Sequence, residues 1–337
     1  MKITVLGSGS WGTALAQVLA DNNHEVVVYG NNVGQVDDIN HGYNKQFFDD
    51  LKINDKIKAT TNLEEALDNT DVILSVVPTK VTKIVLKEVL PYLKEDKKVY
   101  IVNASKGFDP ETNERMSDTI RHTIPEKYRH EVCSIIGPSH AEEVILRYYT
   151  AICSVSLDNE VAIFIQQLFS NEYFRLYTLN DEVGAEYGVA YKNVLALCSG
   201  IITGIGLGDN TRAALLTRGL HEMINYGLSK GGKLETYLGL TGIGDLIVTA
   251  TSVHSRNYQA GLKIGTNLSA KDVINDEAST VEGIRTCSVI YNDSNAMGVE
   301  LPIVNECYQV LFNEENPVLA IKKLMSRELK AEKERNI

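Results

Sequence analysis

The sequence has 337 residues, which is enough for two domains with a core each or for one large domain. Its composition, 44% hydrophobic and 23% charged, is that of an ordinary soluble globular protein. A net charge of −11 argues against a nucleic-acid partner, because phosphate backbones are bound by clustered Lys and Arg. The charge leaves open a small anionic substrate, which requires only a local positive pocket.

The cysteines are odd in number and widely spaced, with no CxxC pair: Cys133, Cys153, Cys198, Cys287 and Cys307. Because the amino terminus also runs directly into a predicted strand, we expect reduced thiols in a cytoplasmic protein. The apolar run at residues 189–208 is long enough to span a membrane. It contains Lys192 and several glycines and lacks flanking basic anchors, so we expect a buried core helix and no stable membrane insertion.

The first twelve residues combine a short β-branched strand with a glycine-rich turn that opens a helix. The turn, Gly7-Ser8-Gly9-Ser10-Trp11-Gly12, has the spacing GxGxxG directly after the strand. In this setting Gly7 permits the tight turn, Gly9 lets the backbone approach a pyrophosphate, and Gly12 lets the helix pack on the strand. The free N–H groups at the helix start then face the anion. The pattern predicts dinucleotide binding, and a plain strand–helix turn is the alternative.

The second predicted strand, at residues 24–29, ends where dinucleotide-binding proteins recognise the ribose. An acid there binds the 2′-hydroxyl of NAD, whereas an Arg nearby accommodates the 2′-phosphate of NADP. This chain has Gly30, Asn31 and Asn32 instead. We therefore expect Asn31 and Asn32 beside the cofactor, with NAD and NADP both open.

Strands and helices continue to alternate up to residue 179. Strands are predicted at residues 57–60, 71–77, 98–102, 150–155 and 174–178, and helices at 63–67, 81–93 and 161–169. This alternation indicates an α/β fold with a doubly wound parallel sheet of the Rossmann type, whose ligands bind at the carboxyl ends of the strands. We assign it to a dinucleotide-binding domain at residues 1–180.

Two segments that follow predicted strands carry candidate substrate-binding groups. Lys106 either steadies a negatively charged substrate and polarises its carbonyl or is an ordinary loop lysine. Ser139 and Glu142, in the segment Gly137–Glu142, have the S-x-x-E spacing of a capping box. We expect Ser139 to cap a helix whose exposed N–H groups lie near the nicotinamide and can receive a substrate oxygen.

From residue 181 helical periods replace the strand signals, which predicts an all-α C-terminal domain at residues 181–330 and a charged tail at 331–337. Its first segment is nearly all apolar or small from Val189 to Gly208. Lys192 lies inside it, and a lysine held away from water loses part of the advantage of its charge and becomes available as a base. The alternative is that Lys192 reaches the surface or pairs with a carboxylate.

Acidic residues follow two turns of the helical half. Asp245 comes directly after the glycine-rich Thr241–Gly244, where it either orients Lys192 and tunes its proton affinity or caps a helix. Glu282, close behind Thr280, opens another predicted helix, where it either reaches the cofactor or favours the helix dipole. The seven histidines show no paired metal-ligand spacing, so no metal site is predicted.

A polar cluster at residues 255–257 precedes a further helical stretch. Ser255, Arg256 and Asn257 lie together there, with the free N–H groups of the helix behind them. Because a guanidinium binds two phosphate oxygens at once, this arrangement predicts a phosphate site. A surface cap is the alternative.

These segments, taken in order, resemble the bacterial NAD(P)-dependent glycerol-3-phosphate dehydrogenases over almost the whole chain. The first half matches at GSGSWGTALA (7–16), VPTK (77–80), ASKGF (104–108) and GPSHAEEV (137–144). The second half matches at KNVLAL (192–197), GLGDNTRAALLTRGL (206–220), GIGDLIVTATSVHSRN (242–257) and VEGIRT (281–286). Single motifs recur in other families, but this ordered set is highly specific.

The resemblance implies reversible hydride transfer between NAD or NADP and C2 of the sn-glycerol 3-phosphate/dihydroxyacetone phosphate pair, which supplies glycerol 3-phosphate for phospholipid synthesis. It implies that Lys192 is the proton acceptor for the C2 hydroxyl, and we group Asp245 and Lys106 with it as catalytic residues. The expected substrate-binding residues are Lys106, Gly137, Ser139, Lys192, Asp245, Ser255, Arg256 and Asn257. The expected cofactor-binding residues are Gly7, Gly9, Ser10, Trp11, Gly12, Asn31, Asn32, Lys106, Ala141, Arg256, Thr280 and Glu282.

The family pattern also implies a homodimer. Two positions of this chain depart from that pattern. The family usually has Ala-Leu-Lys-Asn where this chain has Ala190-Tyr191-Lys192-Asn193, so extra bulk and a hydroxyl lie beside the expected base. The position of Asn32 is often Arg in the family, so its absence weakens the expectation of an NADPH preference.

Two other functions are weighed against this one. A β-hydroxyacid dehydrogenase shares the Rossmann-type domain, the following helices and a catalytic lysine. That group usually has an asparagine four residues after the lysine, where this chain has Ala196, and its carboxylate substrate leaves the predicted phosphate site without a role. A dinucleotide sensor without turnover is the second alternative, and it needs no desolvated base.

Overall fold

The computed structural model describes residues 1–275, 281–329 and 331–332. Within these residues one sheet contains the strands β1 (Lys2–Leu6), β2 (Glu25–Tyr29), β3 (Lys58–Thr60), β4 (Val72–Ser75), β5 (Tyr100–Asn103), β6 (Cys133–Ile136), β7 (Thr150–Ser156) and β8 (Phe174–Leu179). Their order across the sheet is β3-β2-β1-β4-β5-β6-β7-β8.

The helices that surround and follow the sheet begin with α1 (Ser10–Asp21), α2 (Val33–Asn40), α3 (Lys45–Phe48), α4 (Leu63–Leu67), α5 (Thr79–Val89), α6 (Met116–Thr123), α7 (Ala141–Val144) and α8 (Asn159–Phe169). They continue with α9 (Glu182–Ile205), α10 (Asp209–Ser229), α11 (Leu234–Tyr237), α12 (Asp245–Thr251), α13 (Arg256–Asn267), α14 (Lys271–Ile274), α15 (Glu282–Met297), α16 (Pro302–Phe312) and α17 (Pro317–Met325). Short 3₁₀ segments lie at Leu90–Tyr92 and Glu126–Tyr128, and a π-helical turn lies at Leu240–Gly244. From residue 181 onward the described part of the chain contains helices and no strand.

The predicted α/β fold class with a helical second half is confirmed, with one difference in the sheet. Strands β1 to β6 are mutually parallel, but β7 is antiparallel to β6, and β8 is parallel to β7. The connection from β6 to β7 contains only the four-residue helix α7. A crossover to a parallel partner usually contains a longer helix that returns the chain along the sheet. A four-residue helix spans only about 6 Å, which is too short for this return, and β7 runs antiparallel to β6.

The chain forms two compact units. The first comprises Met1–Ala190 and Gly227–Val248, and the second comprises Tyr191–Tyr226 and Thr249–Ile337. The division therefore passes through helices α9, α10 and α12. The domain limits at residues 180 and 330, which rest on the change from strands to helices, stay a prediction.

The core of the first unit consists of the apolar strand residues and the inner faces of α1 and α8. Ile3, Val5, Val72 and Leu74 are fully buried, as expected for strands covered on both faces. The long helix α9 qualifies by length and composition as a membrane span, but 83% of its most apolar window is buried inside the protein. The prediction of a buried core helix is therefore confirmed.

The start of α9 is fixed within the first unit by buried ion pairs. Glu182 and Glu186, one helical turn apart, accept hydrogen bonds from Arg115 Nη1 at 3.0 and 3.3 Å. Arg121 Nη2 donates to the second oxygen of Glu182 at 2.7 Å, and the Ser117 hydroxyl donates to Glu186 at 2.6 Å. Since a buried carboxylate without a partner is costly, these bonds specify where α9 begins.

Within the second unit, glycines allow α9 and α13 to cross at very short range. A Cβ atom on Gly200 would lie 2.1 Å from the carbonyl oxygen of Tyr258, and one on Gly204 would lie 2.3 Å from that of Leu262. In return, a Cβ on Gly261 would lie 2.0 Å from the carbonyl oxygen of Leu197. Small residues on both helices therefore bring the start of α13 into a fixed relation with α9.

The ion-pair network at the start of α9 predicts a pH dependence of stability. Burial, followed by repulsion from Glu182, raises the pKa of Glu186 to about 7 from 4.5, although hydrogen bonds from Ser117 and the charge of Arg115 oppose this rise. Between these two pKa values the folded state binds more protons than the unfolded state, so the free energy of unfolding falls as pH rises from 4.5 to 7.

We expect Glu186→Gln to reduce this fall by up to about 3 kcal/mol, because the amide does not titrate. Urea unfolding at pH 5 and at pH 7.5 measures it, with the exposed Glu88→Gln as the control that keeps the wild-type difference. An equal pH dependence in Glu186→Gln and wild type would contradict the expectation.

Candidate active site

The carboxyl ends of β1, β4, β5 and β6 lie at one edge of the sheet, and the glycine-rich turn follows β1. Gly7 has φ = +120°, which favours glycine, and its N–H donates to the carbonyl of Tyr29 at 2.9 Å. A Cβ atom on Gly12 would lie 2.1 Å from the carbonyl oxygen of Gly7. The turn is therefore as tight as its spacing predicts, and two of its glycines are sterically required.

The rest of the turn fits a dinucleotide. Gly9 is the N-cap of α1 and no side chain caps this helix, so the first N–H groups, from Ser10 onward, are available to an anion. A Cβ atom on Gly9 would have nothing within 4 Å, which leaves room above the turn. The indole N–H of Trp11 is buried and has no hydrogen-bond partner in the described part of the chain. Open space, helix N–H groups and an unsatisfied donor together suit a pyrophosphate and its attached groups.

The predicted ribose-binding residues lie between β2 and α2. Asn31 and Asn32 are both exposed, and Asn32 Oδ1 caps α2 by accepting from the N–H of Gln35 at 3.1 Å. The Ser8 hydroxyl of the glycine-rich turn donates to the side chain of the same Gln35 at 2.6 Å. Asn32 therefore has a structural role in addition to the one predicted, and it is Gln35 that links this helix to the turn.

Lys106 is held at the end of β5 by a short hydrogen-bonded turn. Asn103 Oδ1 accepts from the N–H of Ser105 at 3.0 Å, and the Ser105 hydroxyl donates to the carbonyl of Val77 at 2.6 Å. The ammonium of Lys106 lies 3.6 Å from the carboxylate of Asp245, which is fully buried. Lys106 is therefore paired with a buried acid, and its role toward the substrate stays a prediction.

Asp245 is the first residue of α12, immediately after the π-helical turn. The sequence predicted that it orients Lys192, and this pairing stays a prediction. The pairing found, with Lys106, joins residues 139 positions apart in the chain and has no local signal in the sequence.

The capping box predicted after β6 is wrong. The N-cap of α7 is His140, whose side chain does not cap the helix, and the Ser139 hydroxyl instead donates to the carbonyl of Gly137 at 3.1 Å. The helix begins one residue later than the S-x-x-E spacing requires, so Ser139 lies outside it. A Cβ atom on Gly137 would lie 2.8 Å from Cα of Ile152 on β7, so only glycine permits this close approach. Ala141, the first residue of α7, is buried.

Lys192 lies in the second unit, in the most deeply buried part of α9. Only 2% of its surface is exposed, so the alternative that it reaches the surface is wrong. Its ammonium donates to the hydroxyl of Thr249 on α12 at 2.8 Å. A lysine at such depth, hydrogen-bonded to a neutral hydroxyl, has the surroundings of a candidate base.

Thr249 is a site residue that the sequence reasoning missed. It lies four residues after Asp245, one helical turn further along the same helix, and is buried. The signal that could have found it is the spacing D-x-x-x-T, in a segment already singled out for its acid.

The three residues predicted to bind the substrate phosphate lie at the start of α13, and each has a different environment. Ser255 is the N-cap, and its side chain accepts from the N–H of Tyr258 at 3.3 Å. Asn257 is buried, and its Oδ1 accepts from the N–H of Gly283 at 2.8 Å, which leaves its NH₂ group to donate elsewhere. Arg256 is exposed and forms no ion pair with the described residues. Its guanidinium and the helix N–H groups therefore remain for an anion.

The remaining predicted residues lie around α15. Glu282 is the first residue of this helix and is half-buried, a position that also favours the helix dipole. Thr280 lies outside the described residues. No group of three or more His, Cys, Asp or Glu side chains in the described ranges is arranged to hold a metal ion. The five cysteines are buried with free thiols.

Comparison with known sequences matches both halves of the chain to one family. The profile for the N-terminus of NAD-dependent glycerol-3-phosphate dehydrogenase matches residues 2–162, and the profile for its C-terminus matches residues 181–322. A relative from Streptococcus agalactiae, glycerol-3-phosphate dehydrogenase [NAD(P)+], is 47% identical over 99% of this chain and 98% of its own length.

Solved structures agree with this match. The crystal structure of glycerol-3-phosphate dehydrogenase from Coxiella burnetii superposes with a TM-score of 0.88 at 30% identity, covering 96% of this chain and 98% of that one. A ketopantoate reductase from Ralstonia eutropha, at 15% identity and a TM-score of 0.60, covers 96% of this chain and 100% of its own and shares the fold alone. The resemblance stated from the motifs is therefore confirmed: this chain belongs to the family of NAD-dependent glycerol-3-phosphate dehydrogenases.

Proposed function

We propose that this protein is an oxidoreductase that interconverts sn-glycerol 3-phosphate and dihydroxyacetone phosphate with NAD or NADP, and so supplies glycerol 3-phosphate for phospholipid synthesis. The observation that carries the proposal is the buried Lys192, bonded to Thr249, in a chain of this family. When bound, the nicotinamide supplies or accepts the hydride, which leaves the proton, the orientation and the charge to the protein.

Lys192 exchanges the proton of the C2 oxygen in this proposal. Burial removes the competing water, and the Thr249 hydroxyl holds the ammonium nitrogen in one direction. A positioned general base contributes about 10²- to 10⁴-fold to the rate. Holding the reacting groups in line adds several kcal/mol by the entropy argument for oriented pairs.

Lys106 and Asp245 supply electrostatic support. The Lys106 ammonium, at the end of β5, polarises the C2 carbonyl in the direction of reduction and stabilises negative charge on its oxygen. Asp245, 3.6 Å away, keeps this side chain in place and balances its charge. Gly137 and Ser139, at the same edge of the sheet, border the substrate.

The substrate phosphate binds at the start of α13. Arg256 forms no ion pair with the described residues, the Ser255 hydroxyl lies at the cap, and Asn257 uses its Oδ1 in a bond to Gly283, which leaves its NH₂ group to donate to a ligand. A helix of twelve residues adds the favourable end of its dipole. Specificity for a phosphorylated substrate is the consequence.

The cofactor binds at the glycine-rich turn. The N–H groups from Ser10 onward receive the pyrophosphate, with Gly9 giving it access and Trp11 alongside. Lys106, Ala141, Arg256, Thr280 and Glu282 are proposed to complete this site on the strength of the family pattern. Between residues 30 and 32 neither an acid nor a cation selects NAD or NADP, so both are proposed as cofactors.

The homodimer and the cytoplasmic location belong to the same proposal. They are implied by the family, and five free, buried thiols suit a reducing compartment. A β-hydroxyacid dehydrogenase is disfavoured because residues 255–257 offer a phosphate site that a carboxylate substrate would not use. A sensor without turnover is disfavoured because it needs no buried base.

One prediction of this function concerns turnover and the base. Wild type is expected to oxidise NADH or NADPH with dihydroxyacetone phosphate and not with a 3-oxo acid, and Lys192→Ala is expected to lose about 10²- to 10⁴-fold in kcat. The decrease in absorbance of the reduced cofactor measures both. The matched control is the exposed lysine variant Lys322→Ala, which should keep the wild-type kcat.

No turnover of dihydroxyacetone phosphate by wild type would contradict the substrate, and a near-normal kcat in Lys192→Ala would contradict the proton-transfer role alone.

A second prediction tests the phosphate site. Arg256→Ala should raise KM for dihydroxyacetone phosphate about 10- to 100-fold, since a hydrogen bond to a charged group contributes about 1.5–3 kcal/mol. Lys263→Ala, an exposed cation two turns along α13, is the control that separates a local contact from the general positive charge of the helix. Steady-state kinetics decide between them, and equal KM values for the two variants would argue against a specific role for Arg256.

A further inference from the structure

A buried carboxylate joins three helices of the second unit beside the proposed base. Glu222 on α10 accepts from the N–H of Ile303 at 2.8 Å and from the N–H of Val304 at 3.4 Å. These are N–H groups of the first turn of α16, which begins with Pro302 and has no cap from its own side chains. Glu222 therefore supplies the missing cap from another helix.

The third bond to this carboxylate comes from Tyr191, the residue that departs from the family pattern. Its hydroxyl donates to Glu222 Oε2 at 3.0 Å, and its ring lies 5.9 Å from the ring of Tyr226. Tyr191 is fully buried. The extra bulk and the hydroxyl expected from the sequence thus both have partners, so Tyr191 is integrated in the packing of the helices.

The carboxylate depends on its donors for its charge. Burial raises the pKa of Glu222 to about 7, whereas the hydrogen bonds from Ile303, Tyr191 and Val304 lower it. Loss of the Tyr191 donor leaves Oε2 of this buried carboxylate with only the long bond from Val304, which favours a shift of the surrounding helices.

Three consecutive residues of α9 contact three different helices. Tyr191 binds Glu222 on α10, and Lys192 binds Thr249 on α12. The carbonyl oxygen of Asn193 lies so close to the start of α15 that a Cβ atom on Gly283 would be 2.7 Å from it. Adjacent side chains of a helix point about 100° apart, so the bonds of Tyr191 and Lys192 lie on different sides of α9. Together with the close backbone contact at Asn193, they fix the rotation of this segment about its axis.

We infer that Tyr191 and Glu222 form a positioning pair, which fixes the direction in which α9 presents Lys192. The inference rests on the proposed role of Lys192 as the base. Neither residue of the pair touches the substrate in this account. Their effect on the reaction passes through the position of the Lys192 ammonium, and proton transfer is steeply sensitive to such a displacement.

The test compares two buried phenols of the second unit. Tyr191→Phe keeps the ring and removes the hydroxyl that binds Glu222, and is expected to lower kcat about tenfold or more while KM stays within about twofold. The control is Tyr226→Phe, which removes the hydroxyl of another buried tyrosine, bonded in this case to Asp293 at 2.7 Å. It should keep the wild-type kcat even if both variants lose thermal stability.

The solvent deuterium isotope effect on kcat separates positioning of the base from general loosening of the fold. A displaced base slows the proton transfer and makes it more rate-limiting, so the isotope effect should rise in Tyr191→Phe and remain at the wild-type value in Tyr226→Phe. Glu222→Gln, which removes the charge and replaces one acceptor oxygen by an NH₂ donor, should raise it as well. An unchanged kcat, or a lower kcat with an unchanged isotope effect, would overturn the inference.

Failure of the proposed function gives a different result. It would be seen as absent turnover in wild type or as normal turnover in Lys192→Ala, and neither measurement involves Tyr191 or Glu222. If only the positioning pair is wrong, wild type still turns over dihydroxyacetone phosphate and Lys192→Ala still loses activity.

Discussion

Lys192 is buried inside α9, and its burial sets demands on the helices that surround it. An ammonium held away from water needs a partner, and Thr249 provides a neutral hydroxyl at 2.8 Å. Holding that position requires a helix that neither slides nor rotates. Buried ion pairs at Glu182 and Glu186 fix where α9 begins, and the close crossing at Gly200 and Gly204 fixes its later part. The long apolar sequence of α9, which resembles a membrane span, keeps this lysine away from water.

The first unit meets a different requirement, the recognition of anions by backbone groups. Parallel strands bring the turns after β1, β5 and β6 to one edge, where glycines permit approaches that a Cβ atom would block. The uncapped start of α1 offers N–H groups, and Lys106 adds a cation whose charge the buried Asp245 balances. A net charge of −11 is compatible with anionic ligands because backbone N–H groups and a local cation such as Lys106 are sufficient to bind an anion.

Much of this was predictable from the sequence where the signal was local. The tight turn at Gly7 and the buried α9 follow from glycine spacing and apolar periodicity, which depend on neighbouring residues only. The capping box failed because S-x-x-E describes a side-chain bond that competes with the local turn, and here Ser139 bonds to Gly137 instead. Pairings across long stretches of chain, such as Lys106 with Asp245, leave no local pattern. Tyr191 had no explanation in the sequence because Glu222, its partner, lies 31 residues away on another helix.

The central claim is that Lys192 exchanges the proton of the C2 oxygen. Its most direct measurement is the distance from Lys192 Nζ to that oxygen in a crystal structure with the reduced cofactor and dihydroxyacetone phosphate bound. If Lys192 exchanges this proton, the two atoms form a hydrogen bond of about 2.6–3.2 Å, the reach required of a general acid or base. A bound substrate whose C2 oxygen lies beyond the reach of Lys192, directly or through one water, would contradict it.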